Sequence, residues 1–281
     1  MEYNKIIVDR PLDYVQRITL NHVAKRNALT NELRREMWHA LETGDVDDEV
    51  RVTIIRGAGP GFSTGYDLLE GATGANEQGQ PFYTTPGLGM WGRHLVESCI
   101  RMWDLGKPII CQIHGFCIAG AGELAAGSDL VYVAEDAQIG YPIVRNGAPP
   151  NLQIFPWLLG MRRASEMMLT GDSISGVEAV EGGLANRAFP ADELDDAVLN
   201  MAERVAKVPI DVQQMNKRSL HKQMEVMGIR TGIRLGAEMN ALARNTDSCQ
   251  AQIASLRENV KASFTERDAA FGSDYTTKKK D

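Results

Sequence analysis

Up to about Pro190 the sequence alternates β-branched runs with amphipathic ones, and from Asp192 onward its pattern is almost wholly helical. Alternation of that kind builds an α/β core, because each strand buries a face against a neighbouring helix. "KIIVDR" and "YVQRITLN" flank Pro11-Leu12-Asp13 and predict a β-hairpin. Thr30 predicts a helix cap, with Leu33, Met37, Ala40 and Leu41 on the apolar face and an end at Gly44. "VRVTIIRG", "PIICQIHG" (opened by Pro108), "DLVYVA", the start of "QIGYPIVRNGAPP", and "LANRAFP" read as strands. Helices are expected from about Met90 to Trp103, from the turn at Gly120 to about Gly127, and in "NLQIFPWLLG", "RRASEMMLTG" and "ISGVEAVEGG". Residues 71–88 are rich in Gly, Pro and Thr and predict a long loop, a lid or pocket wall. The expected boundary is near Pro190: residues 1–190 form the α/β core and residues 191–281 a helical region broken at Pro209.

Composition narrows the function. A length of 281 residues fits one domain with an appendage. Net charge is −7, from 30 basic against 37 acidic residues, which argues against nucleic acid as a partner. No apolar run approaches the roughly 18 residues of a membrane span, and the acidic start "MEYNKIIVDR" has no apolar signal core. Four cysteines contain no CxxC pair and five histidines no HxxxH, so neither a metal nor a bound cofactor is expected. Reduced thiols in the cytoplasm are the expectation. His114, beside a glycine after an apolar run, reads as a packed histidine.

Three chemistries compete for the glycine-rich segments. "GAGPG" at 57–61 lacks the third glycine of a dinucleotide fingerprint, and "GAGELA" at 120–125 leaves too short a helix for a full crossover. "GFSTG" at 61–65 is a literal G-x-S-x-G, and Ser63, Asp129 and His221 stand in the order of a hydrolase triad, but no stable helix is expected behind the serine. The third reading uses both segments together. Each is a strand, a glycine-rich turn and a helix start, where main-chain N–H groups have no partner inside the helix. Two such groups aimed at one point make an oxyanion hole, with donors from Tyr66 and Gly120. Gly120 would let a ligand carbonyl approach without a Cβ in the way. Glu123, three residues on, shares the helix face of Gly120 and suits proton transfer next to a carbonyl. A capping carboxylate is the structural alternative, but Gly120 has no hydroxyl to complete a capping box.

Taken together, "RNALT", "GAGPGFSTGYDL", "IHGFCIAGAGELAAGSDLVYVAEDAQIGYP" and "MMLTGDSISGVEAVEGGLANRAFP" resemble the crotonase superfamily, the enoyl-CoA hydratase/isomerase family, over nearly the whole chain. The resemblance implies an α/β fold, a crotonase-like spiral of ββα units with a helical C-terminal trimerisation region. It implies self-association as a trimer or a dimer of trimers. It implies an acyl-CoA thioester as substrate, coenzyme A being part of that substrate and no other cofactor being needed. The N–H groups of Tyr66 and Gly120 would hold the thioester oxygen, and Glu123 would be the acid/base. Arg26 and Ala28 would meet the nucleotide end of CoA. Asp67, Leu68 and Tyr141 would line the substrate site, and Arg267 and Phe271 would reach CoA from a neighbouring subunit. Loop 71–88, with Phe82 and Tyr83, would shape the acyl pocket.

One position departs from the family pattern. A second catalytic carboxylate would follow "IGYP", where this chain has Ile143. The expectation is therefore an enoyl-CoA hydratase-like enzyme of fatty-acid or related acyl-chain degradation, with two alternatives. One is a CoA-ester double-bond isomerase or C–C hydrolase; the other is a non-catalytic acyl-CoA-binding oligomer. Tyr141, Arg145 and Asp67 lie close enough in sequence to donate or orient.

Overall fold

The computed structural model describes residues 1–67 and 99–272. Leu68, loop 71–88 with Phe82 and Tyr83, most of the helix expected from Met90, and the basic tail lie outside the described residues. Residues 99–101 are helical.

The hairpin forms as β1 (Ile6–Leu12) and β2 (Val15–Leu20), antiparallel, with Tyr14 at φ 63° in its turn. Thr30 accepts the Leu33 N–H at 3.2 Å and starts α1 (Asn31–Val46), which buries Leu33, Met37, Ala40 and Leu41. The helix runs two residues past Gly44, within the fraying expected of helix ends. The parallel strands β3 (Val52–Gly57) and β4 (Ile109–Ile113) follow. Every residue of β4 is buried, as its continuous apolar run requires of a central parallel strand.

Two further units then repeat one pattern. The strands β5 (Phe116–Ile118) and β7 (Gln138–Gly140) pair with each other, while β6 (Leu130–Ala134) returns beside β4. The helix α2 (Gly120–Ala126) joins β5 to β6. Successive strands thus enter two sheets by turns. The larger has six strands in the order β1-β2-β3-β4-β6-β9, with β9 at Arg187–Phe189. The smaller has three, β5-β7-β8, with β8 at Ser173–Ser175. This is an α/β spiral of strand pairs and helices. Sequence reading missed β5 and β8 because three-residue strands are too short to show a period.

Between β7 and β9 lie α3 (Phe155–Leu158), α4 (Gly160–Thr170) and α5 (Gly176–Gly182). The capping box Ser175–Glu178 opens α5, and Gly183 closes it at φ 91°. "NLQIFPWLLG" is helical only from Phe155, five residues after Pro150 of the Pro149-Pro150 pair.

The chain ends in α6 (Leu194–Ala206), α7 (Ile210–Val226), α8 (Ile229–Ala243), α9 (Asp247–Glu258) and α10 (Val260–Ala269). Pro209 separates α6 from α7. The first of these helices covers the large sheet. Gln16 on β2 donates to Ala40 O of α1 at 3.0 Å, while the next residue, Arg17, pairs with Asp195 of α6 at 3.6 Å. Adjacent strand residues face opposite ways, so α1 and α6 lie on opposite faces of the sheet.

A buried ion cluster fixes α7 to the start of β4. Lys217 Nζ donates to Met102 O (2.9 Å) and Lys107 O (2.8 Å) and pairs with Asp129 Oδ2 at 2.9 Å. His221 Nε2 lies 3.1 Å from Asp129 Oδ1, and its ring stacks on Trp103 with centroids 4.5 Å apart. No helix of the described residues is long and apolar enough to cross a membrane.

Candidate active site

Segments far apart in sequence are zipped together at the centre of the fold. Phe62 N and Ser63 N donate to Phe116 O at 3.0 and 3.2 Å, and Ile118 N returns to Ser63 O at 3.0 Å. Residues 62–63 therefore run beside β5 as an extra rung, and the turns that follow them emerge together. Gly65, at φ 83°, packs so closely that a Cβ there would stand 2.5 Å from Ile118 O and 2.8 Å from Gly120 N. Among the described residues, no protein acceptor takes the N–H of Tyr66 or of Gly120. Ala119 holds φ 52° and ψ −120°, a strained conformation for a residue with a Cβ. Its N–H donates to Gly140 O at 2.8 Å, and its carbonyl accepts from Gly122 N at 2.8 Å. Those bonds hold the kink that starts α2 at Gly120.

Asn27, absent from the sequence-derived site, braces the first turn. It is buried at φ 55°, and its amide donates to Ala58 O (2.8 Å), Gly61 O (3.1 Å) and Phe62 O (3.1 Å). Its Oδ1 accepts the His22 N–H at 2.9 Å. Asparagine tolerates positive φ and carries both a donor and an acceptor, which this position uses in full. Asn27→Ala should cost about 2–4 kcal/mol, since it strands buried carbonyls and puts alanine at positive φ. Denaturant unfolding checks this; a loss under 1 kcal/mol contradicts the bracing role.

Glu123 is fully buried, at 0% exposure. Tyr141 OH donates to its Oε1 at 2.7 Å, the Asn151 N–H to the same oxygen at 3.0 Å, and Tyr66 OH to Oε2 at 3.0 Å. Leu152 adds a main-chain donor. Burial raises the pKa of the carboxyl above its ordinary 4.5, and these donors pull it back in part. Burial and the nearby carboxylate push both phenols well above 10. The result is a carboxyl poised nearer to neutrality, held by neutral hydroxyls.

The space above Gly120 differs from expectation. A Cβ at Gly120 would overlap Cδ2 and Cε2 of Tyr66, so the missing side chain makes room for that ring. Sequence reading used only the N–H of Tyr66 and did not see its ring cross to Gly120 and its hydroxyl reach Glu123. Asn151 was missed as well: its N–H follows a double proline, and nothing local marks it.

The other expected site residues are placed as follows. Arg26 is exposed at φ 52°, and Ala28 is buried beside it. Asp67 pairs with Lys25 at 2.8 Å. Ile143 sits in the turn Pro142–Arg145, directly after Tyr141, and packs on the core. Arg145 reaches Thr170 O (3.0 Å), Asp172 (2.8 Å) and Asp268 (2.9 Å), with its guanidinium over the Phe271 ring at 4.4 Å. Arg267 pairs with Asp268 at 2.7 Å and lies over Phe264 at 4.8 Å. The end of α10 is thereby tied to the turn that carries Ile143.

The hydrolase alternative fails on geometry. Asp129 and His221 do meet, but Ser63 is fully buried, donating to Asn27 O at 2.7 Å and accepting from Gly65 N at 3.1 Å. His221 is engaged by Asp129 and by Trp103 O at 3.4 Å. The dinucleotide alternative finds no support in the described turns: residues 62–63 after Gly57–Gly61 pair with β5 instead of opening a helix, and the helix that starts at Gly120 is only seven residues long.

Comparison with known proteins agrees with this architecture. The sequence profile of the enoyl-CoA hydratase/isomerase family matches residues 13–267. The Mycobacterium tuberculosis protein EchA13 is 33% identical over 228 residues, 75% of this chain and 71% of its own. An Escherichia coli 2,3-dehydroadipyl-CoA hydratase is 30% identical over 226 residues, 79% of this chain and 84% of its own. The crystal structure of an enoyl-CoA hydratase from Mycobacterium smegmatis superposes with a TM-score of 0.86 at 30% identity, covering 96% of this chain and 94% of that one. The fold is that of crotonase, and the chain belongs to the enoyl-CoA hydratase/isomerase family of enzymes.

Proposed function

We propose that this protein acts on an acyl-CoA thioester through an enolate, as an enoyl-CoA hydratase-like enzyme of fatty-acid or related acyl-chain breakdown. The observation that carries the reading is the contact of the two turns. Among the described residues the N–H groups of Tyr66 and Gly120 have no protein acceptor, and Glu123 lies one helical turn beyond. Those two amides hold the thioester oxygen as charge builds on it. Glu123 moves the proton, its raised pKa bringing it closer to the operating pH of a general base. No metal or further cofactor is required. Arg26 and Ala28 meet the nucleotide end of CoA, Asp67 and Tyr141 shape the substrate site, and Arg267 and Phe271 act at a subunit boundary. Exposed apolar side chains on α7 and α8, among them Leu220, Val226, Leu235 and Leu242, support self-association as a trimer or a dimer of trimers, which light scattering tests.

Ile143 favours a second reading within the same chemistry: double-bond isomerisation or C–C cleavage of a CoA ester. An isoleucine can neither orient a water nor deliver a proton. Incubation with crotonyl-CoA, following the enoyl-thioester absorbance, separates the two. Loss of the absorbance supports hydration. No loss over hours, together with exchange of α-protons of butyryl-CoA into D2O, favours the second reading. Tight binding of CoA esters with neither exchange nor turnover overturns both.

A further inference from the structure

We infer that the Tyr66 hydroxyl carries protons between the substrate and Glu123, a side-chain role separate from that of its main-chain N–H and resting on the enolate reading above. Glu123 has no direct path outward. Its side chain is wholly buried, and Oε1 is already taken by the Tyr141 hydroxyl and the Asn151 N–H. The hydroxyl partner of Oε2 is Tyr66, at 3.0 Å. Tyr66 lines a narrow cleft with Leu29, Trp38, Cys99 and Leu124, and neither Glu123 nor Tyr141 reaches its wall. Tyr66 is half-buried, whereas Tyr141 is only 3% exposed and packs edge-on against Phe155. The Tyr66 ring lies on the Cα of Gly120, next to the amide that takes the thioester oxygen. One phenol thus spans from the carboxylate to the place where the reacting carbons must lie.

The transfer balances without any other reagent. In hydration, the water oxygen bonds to the β-carbon while a water proton passes to the Tyr66 oxygen. The phenol gives its own proton to Glu123 Oε2, and the C=C pair moves to the thioester oxygen. In the return, the enolate pair bonds the α-carbon to the Tyr66 proton, and Glu123 restores the phenol. Isomerisation uses the same two transfers, with a carbon-bound proton in place of that of water. The phenol is neutral before and after, in keeping with the direction in which burial and Glu123 push its pKa. The ionisable groups that act on it are Glu123, Cys99, Tyr141 and the Arg34 guanidinium, which lies 5.6 Å from the ring centroid. Tyr141 and the Asn151 amide act through Glu123, as positioning groups.

Tyr66→Phe tests this, because it keeps the ring, the turn and the main-chain N–H and removes only the hydroxyl. The readouts are α-proton exchange of butyryl-CoA in D2O by mass spectrometry, turnover of crotonyl-CoA, and CoA-ester binding by calorimetry. Exchange should fall about 10²- to 10⁴-fold with KM changed less than about threefold. The acid limb of the residual activity should move to higher pH, because Glu123 loses a donor that favours its ionised form. A fluorinated tyrosine placed at 66 keeps the fold and lowers the phenol pKa, so the exchange rate should change with it. Wild-type exchange in the Phe variant, or a rate indifferent to fluorination, overturns the relay while leaving the enolate reading intact. Absence of both exchange and crotonyl-CoA turnover in the wild-type protein overturns that reading and the relay with it.

Discussion

Replacing Glu123 with Gln should abolish turnover and α-proton exchange while acyl-CoA binding stays nearly unchanged. The carboxamide fills the same buried space but cannot take up a proton. Removal of a general acid/base costs on the order of 10²–10⁴-fold, and the proposed mechanism uses this group in both halves of the reaction, so the upper end is expected. The binding contacts expected for CoA lie elsewhere, at Arg26, Ala28 and the end of α10, so calorimetry with butyryl-CoA should read a similar affinity. Undiminished turnover in this variant would falsify the assignment. The acid limb of the wild-type pH profile is expected above 4.5, because burial of Glu123 raises its pKa. The same shift bears on stability. Between 4.5 and the raised value, the folded protein holds a proton at Glu123 that the unfolded chain has released. Stability from this group is therefore complete below 4.5 and is lost as pH rises through the folded-state value. Glu123→Gln should remove that slope, which unfolding curves across pH will read out.

Gly65→Ala should be nearly as damaging, for a reason of shape. At φ 83° an alanine carries backbone strain of about 1–2 kcal/mol. Its methyl group would also meet Ile118 O at 2.5 Å and Gly120 N at 2.8 Å, both of them main chain. The two turns must separate, and the amides of Tyr66 and Gly120, proposed to share one thioester oxygen, should no longer converge on it. Loss of one such donor costs about 10²- to 10³-fold in kcat. Gly228→Ala is the matched control. Gly228 has φ 98°, yet a Cβ there meets nothing within 4 Å, so that variant should lose stability but keep its turnover. Equal turnover in the two variants would show that the spacing of the turns does not matter.

The residues that sequence reading found and those it missed divide along one line. Thr30 as a helix cap, the hairpin around Asp13, the short helix in "ISGVEAVEGG" and the break at Pro209 are local events, decided within a few residues by hydrogen bonding and allowed dihedrals. Gly120 and Glu123 belong with them, because three residues along a helix always bring two positions to one face. The short strands β5 and β8 do not, since three residues carry no period and their edges are set by the partners they find. Asn27 was passed over because its three carbonyl partners lie more than thirty residues ahead.

The sequence by itself thus determined the α/β order, the glycine-rich turns and the offset between Gly120 and Glu123. Local chain geometry and residue chemistry suffice for each of these. Only the tertiary structure decided that Tyr66, 57 residues before Glu123, lays its ring on Gly120 and its hydroxyl on the carboxylate. It also decided that Asp129 and His221 meet without Ser63, and that Glu123 is sealed from solvent. Contacts of that kind depend on how strands from distant parts of the chain pack side by side, and no short-range rule encodes them.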